Sequence, residues 1–167
     1  MLHAIMDQMI LTPADLEISI RLLVATLLGA VIGLEREVHG KEAGFKTYSL
    51  VCLGSALMMV VSLDVFTLFK GVAEVDPGRI AAQAVTGIGF LGAGAIIRSQ
   101  QGGIRGLTTA AGIWAACAIG LACGLGLFKQ AVFTTLLVLV ILIIFSRLQR
   151  SVLPKKHGHG GHSDGGL

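Results

Sequence analysis

Charged residues divide this chain into five apolar runs of about 20 residues each, and that spacing constrains the fold more than any other feature. At ~1.5 Å per residue, a helix of that length crosses a hydrocarbon core ~30 Å thick. The runs cover about residues 16–34, 47–69, 79–97, 107–127 and 130–148. A soluble domain carries about 25% charged residues. Here 14% are charged and 54% apolar, with a mean hydropathy of +0.82, a balance that suits lipid as the surrounding solvent. The expected fold class is an all-α membrane protein, a bundle of about five transmembrane helices filling residues 1–153. Residues 154–167 form a His/Gly-rich tail that cannot bury apolar surface and reads as disordered.

Local signals sharpen the boundaries. Met1 to Glu17 holds no Lys or Arg, so the positive region of a cleavable signal is missing and the first run is expected to stay as an anchor. Asp76-Pro77-Gly78 is a helix start, with a side-chain acceptor followed by a residue of preset φ. Five spans put the two ends on opposite sides. Arg36, Lys41, Lys46, Arg98, Arg105, Arg147, Arg150, Lys155 and Lys156 fall on one side, and only Lys70, Arg79 and Lys129 on the other. The positive-inside rule then places the N-terminus outside and the C-terminus in the cytoplasm.

The spans differ in kind. The fifth, through Leu136 to Phe145, is bulky and aliphatic on all sides and belongs at a lipid-facing edge. The third carries Gly87, Gly89, Gly92 and Gly94, and the fourth has Gly112, Gly120, Gly124 and Gly126 in it or at its end. A glycine inside a helix costs ~1 kcal/mol against alanine. Close backbone approach in a membrane offsets that cost. Spans three and four are therefore the expected centre of the bundle or of a homo-oligomer contact.

Several chemistries are disfavoured by the pattern. Gly87-Ile88-Gly89-Phe90-Leu91-Gly92 matches the spacing of a dinucleotide fingerprint, but it lies in an apolar run with no carboxylate near Thr108. Basic residues flank the spans and form no block with interleaved aromatics, so nucleic acid is not an expected partner. Cys52, Cys117 and Cys123 sit inside apolar runs without metal-ligand spacing and read as small buried hydrophobes. No nucleophile–base pair falls in the spans, and no enzymatic activity or cofactor is expected.

The charged and polar residues at the span ends are the candidate functional groups. Glu35, Arg36, Glu37, Lys46, Arg98 and Arg105 gather at the cytoplasmic edge, with Asp76, Arg79 and Gln83 at the outer edge. Glu17 and Arg21, four apart, share a helix face and can pair, as can Asp76 and Arg79. Mg2+ takes carboxylate oxygens and keeps several waters. Glu35, Glu37 and Asp76 are the available ligands, but they stand at opposite edges and cannot form one site. Thr86, Thr108 and Thr109 are expected to hydrogen-bond between helices.

Four blocks of sequence resemble the MgtC/SapB family of bacterial inner-membrane proteins. They are Gly33-Leu34-Glu35-Arg36-Glu37, then Lys41-Glu42-Ala43-Gly44-Phe45-Lys46-Thr47 running on through Ser55-Ala56. Asp76-Pro77-Gly78-Arg79 through Gly94 follows, and Gly106-Leu107-Thr108-Thr109 through Trp114 is the last. The resemblance implies a multi-pass bundle of about five spans, tied to growth under magnesium limitation and, in pathogens, to survival inside host cells. It further implies a regulator acting on other membrane proteins, with Mg2+ as ligand or signal. Transport of Mg2+ or another cation is the alternative. Two departures stand out. Phe45-Lys46 replaces a more usual Leu-Arg, losing the planar fork of arginine. The chain also resembles a short form, without the soluble C-terminal domain of longer members.

Overall fold

The computed structural model describes residues 12–72, 74–98 and 103–148. Thr12 opens the first helix, α1 (Pro13–Val38): its hydroxyl accepts from the Asp15 N–H, and the Asp15 carboxylate accepts from the Thr12 N–H at 2.8 Å. This reciprocal cap and Pro13 at the first helical position satisfy the otherwise orphaned amides. The helix thus starts three residues before the expected span and ends four after it. Hydropathy marks only the stretch that faces lipid, whereas the helical hydrogen bonds continue through the charged ends. At 26 residues, α1 is about 39 Å long and overreaches a hydrocarbon core.

Helix α2 (Phe45–Phe69) follows a short turn and runs back beside α1. Glu37 reaches from the end of α1 to accept the Phe45 N–H at 2.9 Å. Asp76 accepts the Gly78 N–H at 2.7 Å at the start of α3 (Gly78–Ala95), which begins one residue later than the Asp-Pro-Gly signal predicts, with Pro77 rather than Asp76 as its N-cap. The chain then leaves the helix earlier than expected. Ile97–Arg98 (β1) pairs antiparallel with Ile104–Arg105 (β2), with Ile97 opposite Arg105. Gly106, at a φ of +89°, turns the chain into α4 (Leu107–Gly124). A second left-handed glycine, Gly126 at +78°, ends that helix short of the expected Leu127. The last helix, α5 (Phe128–Val140), widens into a looser turn at Ile141–Phe145 and continues to Leu148.

Four helices are long and apolar enough to cross a membrane: α1, α2, α4 and α5 with its extension. The fifth, α3, is 18 residues long and carries Arg79 and Gln83 in its first two turns. The architecture is therefore all-helical apart from the small hairpin, with five helices among the described residues.

Helix α2 packs chiefly against α1 and α4, while α3 lies on the outside of α4 and α5 leans on α4 and α1. Tyr48, Ile32, Ile119 and all three cysteines are fully enclosed. Cys52 points its Sγ at the Ala116 carbonyl, 3.1 Å away, and all three thiols are free. Glycine makes these contacts. A methyl group on Gly124 would lie 2.5 Å from the Ala56 carbonyl oxygen, and one on Gly29 the same distance from that of Tyr48. Gly112 and Gly120 are equally tight against Tyr48 and Cys52.

The expectation that span three shares the centre of the bundle is corrected here. Methyl groups on Gly87, Gly89 or Gly94 would meet nothing within 4 Å, and one on Gly92 would stand 3.8 Å from Ala110 Cβ. Glycine content alone does not report which faces are covered. Here the tight glycines lie on α1 and α4, each against α2.

Candidate functional site

The buried pair at the end of α1 is the foundation of the site. Arg36 is 3% exposed, and its Nε and Nη2 donate to the two carboxylate oxygens of Glu35 at 2.5 and 2.7 Å. Such a fork satisfies both charges in one plane. His39 closes the group from the next turn, its Nδ1 3.1 Å from Glu35 Oε1. Sequence reading places Glu35 and Arg36 as charges at a membrane edge. In the fold Arg36 is instead buried at that edge.

Above this pair lies a cavity of about 770 Å³ with a mixed polar and apolar lining. Arg36, His39, Lys41 and Glu42 form one wall, Arg105, Thr108 and Thr109 the second, and Leu142, Phe145 and Ser146 of the widened α5 turn the third. Thr109 ties the first two walls together. Its hydroxyl donates to Glu42 Oε2 at 3.2 Å, and its carbonyl accepts from the Tyr48 hydroxyl at 3.4 Å. The Glu42 carboxyl is held below its ordinary value, first by its own backbone N–H. The Thr109 hydroxyl and the Lys41 and Arg105 charges act the same way, and burial opposes them. The positive end of the α4 dipole points toward this region as well.

The other sequence-derived candidates are distributed differently. Glu37 is turned away from the cavity to cap α2. Lys46 and Gln83 line a separate cleft between α2 and α3. Arg98 pairs through its backbone opposite Ile104. Asp76 and Arg79 form no ion pair among the described residues: the Asp76 carboxylate accepts from Gly78, and its carbonyl from the Arg79 N–H at 3.2 Å. Thr86 does not bridge helices but returns its hydroxyl to the Ala82 carbonyl of its own helix at 3.1 Å. The expected Glu17–Arg21 pair is present at 2.5 Å, and Arg21 Nη1 also donates to the Gly124 carbonyl at 2.8 Å, where a cation favours a helix C-terminus. Among the described residues, no three His, Cys, Asp or Glu side chains converge as a metal site would require. The His/Gly tail lies outside the described residues.

Sequence reading missed His39, Lys41, Glu42 and Tyr48 as members of this site. Lys41 and Glu42 look like solvated loop charges until α4 is brought beside them. Tyr48 is the only tyrosine in the chain, and its burial gives it a hydrogen-bonding task that a lone hydroxyl in an apolar run foreshadows.

Residues 22–151 match the sequence profile of the MgtC family. The chain is 42% identical over 145 residues to the putative magnesium transporter YhiD of Escherichia coli (strain K12), covering 84% of this chain and 66% of that protein. It is 42% identical over 133 residues to protein SapB of Bacillus subtilis (strain 168), covering 78% of this chain and 57% of the relative. With protein MgtC of Salmonella typhimurium (strain LT2) the identity is 46% over 120 residues, 72% of this chain and 48% of the relative. The chain thus spans between 48% and 66% of the length of these relatives. No solved structure matches it.

Proposed function

The chain belongs to the MgtC family, and from that premise we propose that it is a membrane-embedded regulatory protein of magnesium homeostasis. On this reading it serves adaptation to low Mg2+ by contacting other membrane proteins at its basic end. The observation that carries this reading is the cavity of mixed polar and apolar lining at one end of a closed bundle. Lys41, Glu42, Arg105 and Thr108 offer mixed charge and hydroxyl partners at the surface, with the buried Arg36 beneath them. Below them α4 and α2 meet backbone to side chain at Gly112, Gly120 and Gly124, which leaves no width between these helices for a hydrated ion. A selective ion path needs polar groups or carbonyls along its depth. A binding surface needs them only at the end.

Photo-crosslinking tests this. A photoreactive residue at Arg105 in the full chain, expressed in bacterial membranes at low Mg2+, is expected to capture a discrete membrane protein. Charge reversal at Lys41 should reduce that adduct. Adducts that are unchanged by charge reversal, or that match those from a probe at Lys129 on the far end, would overturn the reading.

Transport of Mg2+ or another cation is the second reading, favoured by the name of the Escherichia coli relative, putative magnesium transporter. Its test is Mg2+ flux into proteoliposomes of folded protein, with Asp76→Asn alongside. Flux above empty vesicles, reduced by that substitution, would displace the regulatory proposal.

A further inference from the structure

Helices α2 and α3 are tied to each other firmly at one end. Ser62 Oγ donates to the Pro77 carbonyl, clasping the far part of α2 to the start of α3. Toward the basic end the two helices part and leave an apolar cleft of about 430 Å³. Gln83 and Met58 stand nearest the clasp, Gly54 and Gly87 line the middle, and Lys46 and Leu91 flank the mouth. A methyl on Gly54 or Gly87 would meet nothing within 4 Å, so the small residues leave space that the chain itself does not fill.

Two features specify an occupant. Among the described residues, Lys46 is the only charged one in the walls, and it stands at the mouth. From Lys46 to Met58 the cleft follows α2 for about 18 Å, rather more than half of a ~30 Å hydrocarbon core. A partner helix would need a groove through the whole thickness, whereas this one stops at the clasp. We propose that the cleft seats an acyl chain of one anionic phospholipid from the leaflet at the basic end, its phosphate held by Lys46. The chain fills the space left by Gly54 and Gly87, and the absence of a carboxylate among the described residues of the walls favours an anionic headgroup over a zwitterionic one. This inference goes beyond the partner-contact reading and does not rest on it.

Native mass spectrometry of the full chain in detergent tests it, with phosphatidylglycerol and phosphatidylcholine of identical acyl chains as probes. One phosphatidylglycerol should be retained per chain, about fivefold in preference to phosphatidylcholine, the weight of one lysine near an anionic surface. Lys46→Gln should abolish the preference, and Lys129→Gln at the opposite end should leave it intact. Gly87→Leu should lose both lipids, with Gly54→Leu as the second filling variant if the first fails to fold by circular dichroism. Equal retention of the two lipids by the parent would overturn the proposal. So would full retention of phosphatidylglycerol by a folded filling variant.

Discussion

Arg36 and Glu35 show how much a single buried pair demands of its surroundings. Two charges taken from water are tolerated because the fork satisfies both and His39 adds a third contact. Removing one partner strands the other. Arg36→Met is expected to destabilise the fold by about 3–5 kcal/mol, and the double variant Glu35→Gln, Arg36→Met by less than Arg36→Met alone. Unfolding by denaturing detergent would measure both, and a double variant less stable than the single would contradict this account. Glu42 supplies a pH-dependent counterpart. Its folded pKa lies below the ordinary value of 4.5, so its contribution is complete above that value and is lost as pH falls through the lower, folded pKa. The stability gap between the parent and Glu42→Gln should therefore hold from neutral pH down to about 4.5 and close only in more acid solution. A gap that closes well above that pH would remove the Thr109 link from the account.

At the scale of the element, glycines with the same sequence signature have opposite roles. Gly124 lets α4 approach the α2 backbone, whereas Gly89 on α3 faces open space. Gly124→Leu must displace a carbonyl and should cost more than the usual ~1–3 kcal/mol of overpacking. Gly89→Ala should instead stabilise the isolated chain by up to about 1 kcal/mol, through helix propensity alone. Thermal unfolding of both variants in detergent gives the two signs directly. A clear loss on Gly89→Ala would mean that a second copy of the chain covers that face. Small residues permit close approach without reporting whether it happens, which is why the sequence could not rank α3 against α4. The helix starts were easier to read. The Asp76-Pro77 start was legible to within one residue, with Pro77 rather than Asp76 at the cap, because helix starts depend on near neighbours. The hairpin at Ile97 and Ile104 was not legible, since an apolar run of that length continues equally well as helix or strand.

Across the whole molecule, the candidate site assembles at one end, from the α1–α2 turn, the hairpin and the end of α5. Sequence reading placed Arg36 and Arg105 there, because alternating spans return to the same side, whereas Thr108 and Thr109 were expected only to hydrogen-bond between helices. It could not tell that Glu37 would turn to α2 or that Lys46 would face the cleft, since both depend on helix rotation. The orientation with this end in the cytoplasm predicts that a cysteine at Lys41 resists impermeant thiol reagents in intact cells and reacts once the membrane is opened. One at Lys129 should react in both. The inverse pattern would reverse the assignment.

The reach of Glu37 to the Phe45 amide also bears on how such a chain is made. The last turn of α1 supplies the cap for α2, across a connection of only a few residues. Residues 12–69 therefore carry within themselves what both helices need to begin, with Thr12 serving the first and Glu37 the second. During synthesis this segment can enter the bilayer as a preassembled antiparallel pair, before α4 has left the ribosome. Arg36 then waits, already matched to Glu35, for the later helices to close over it.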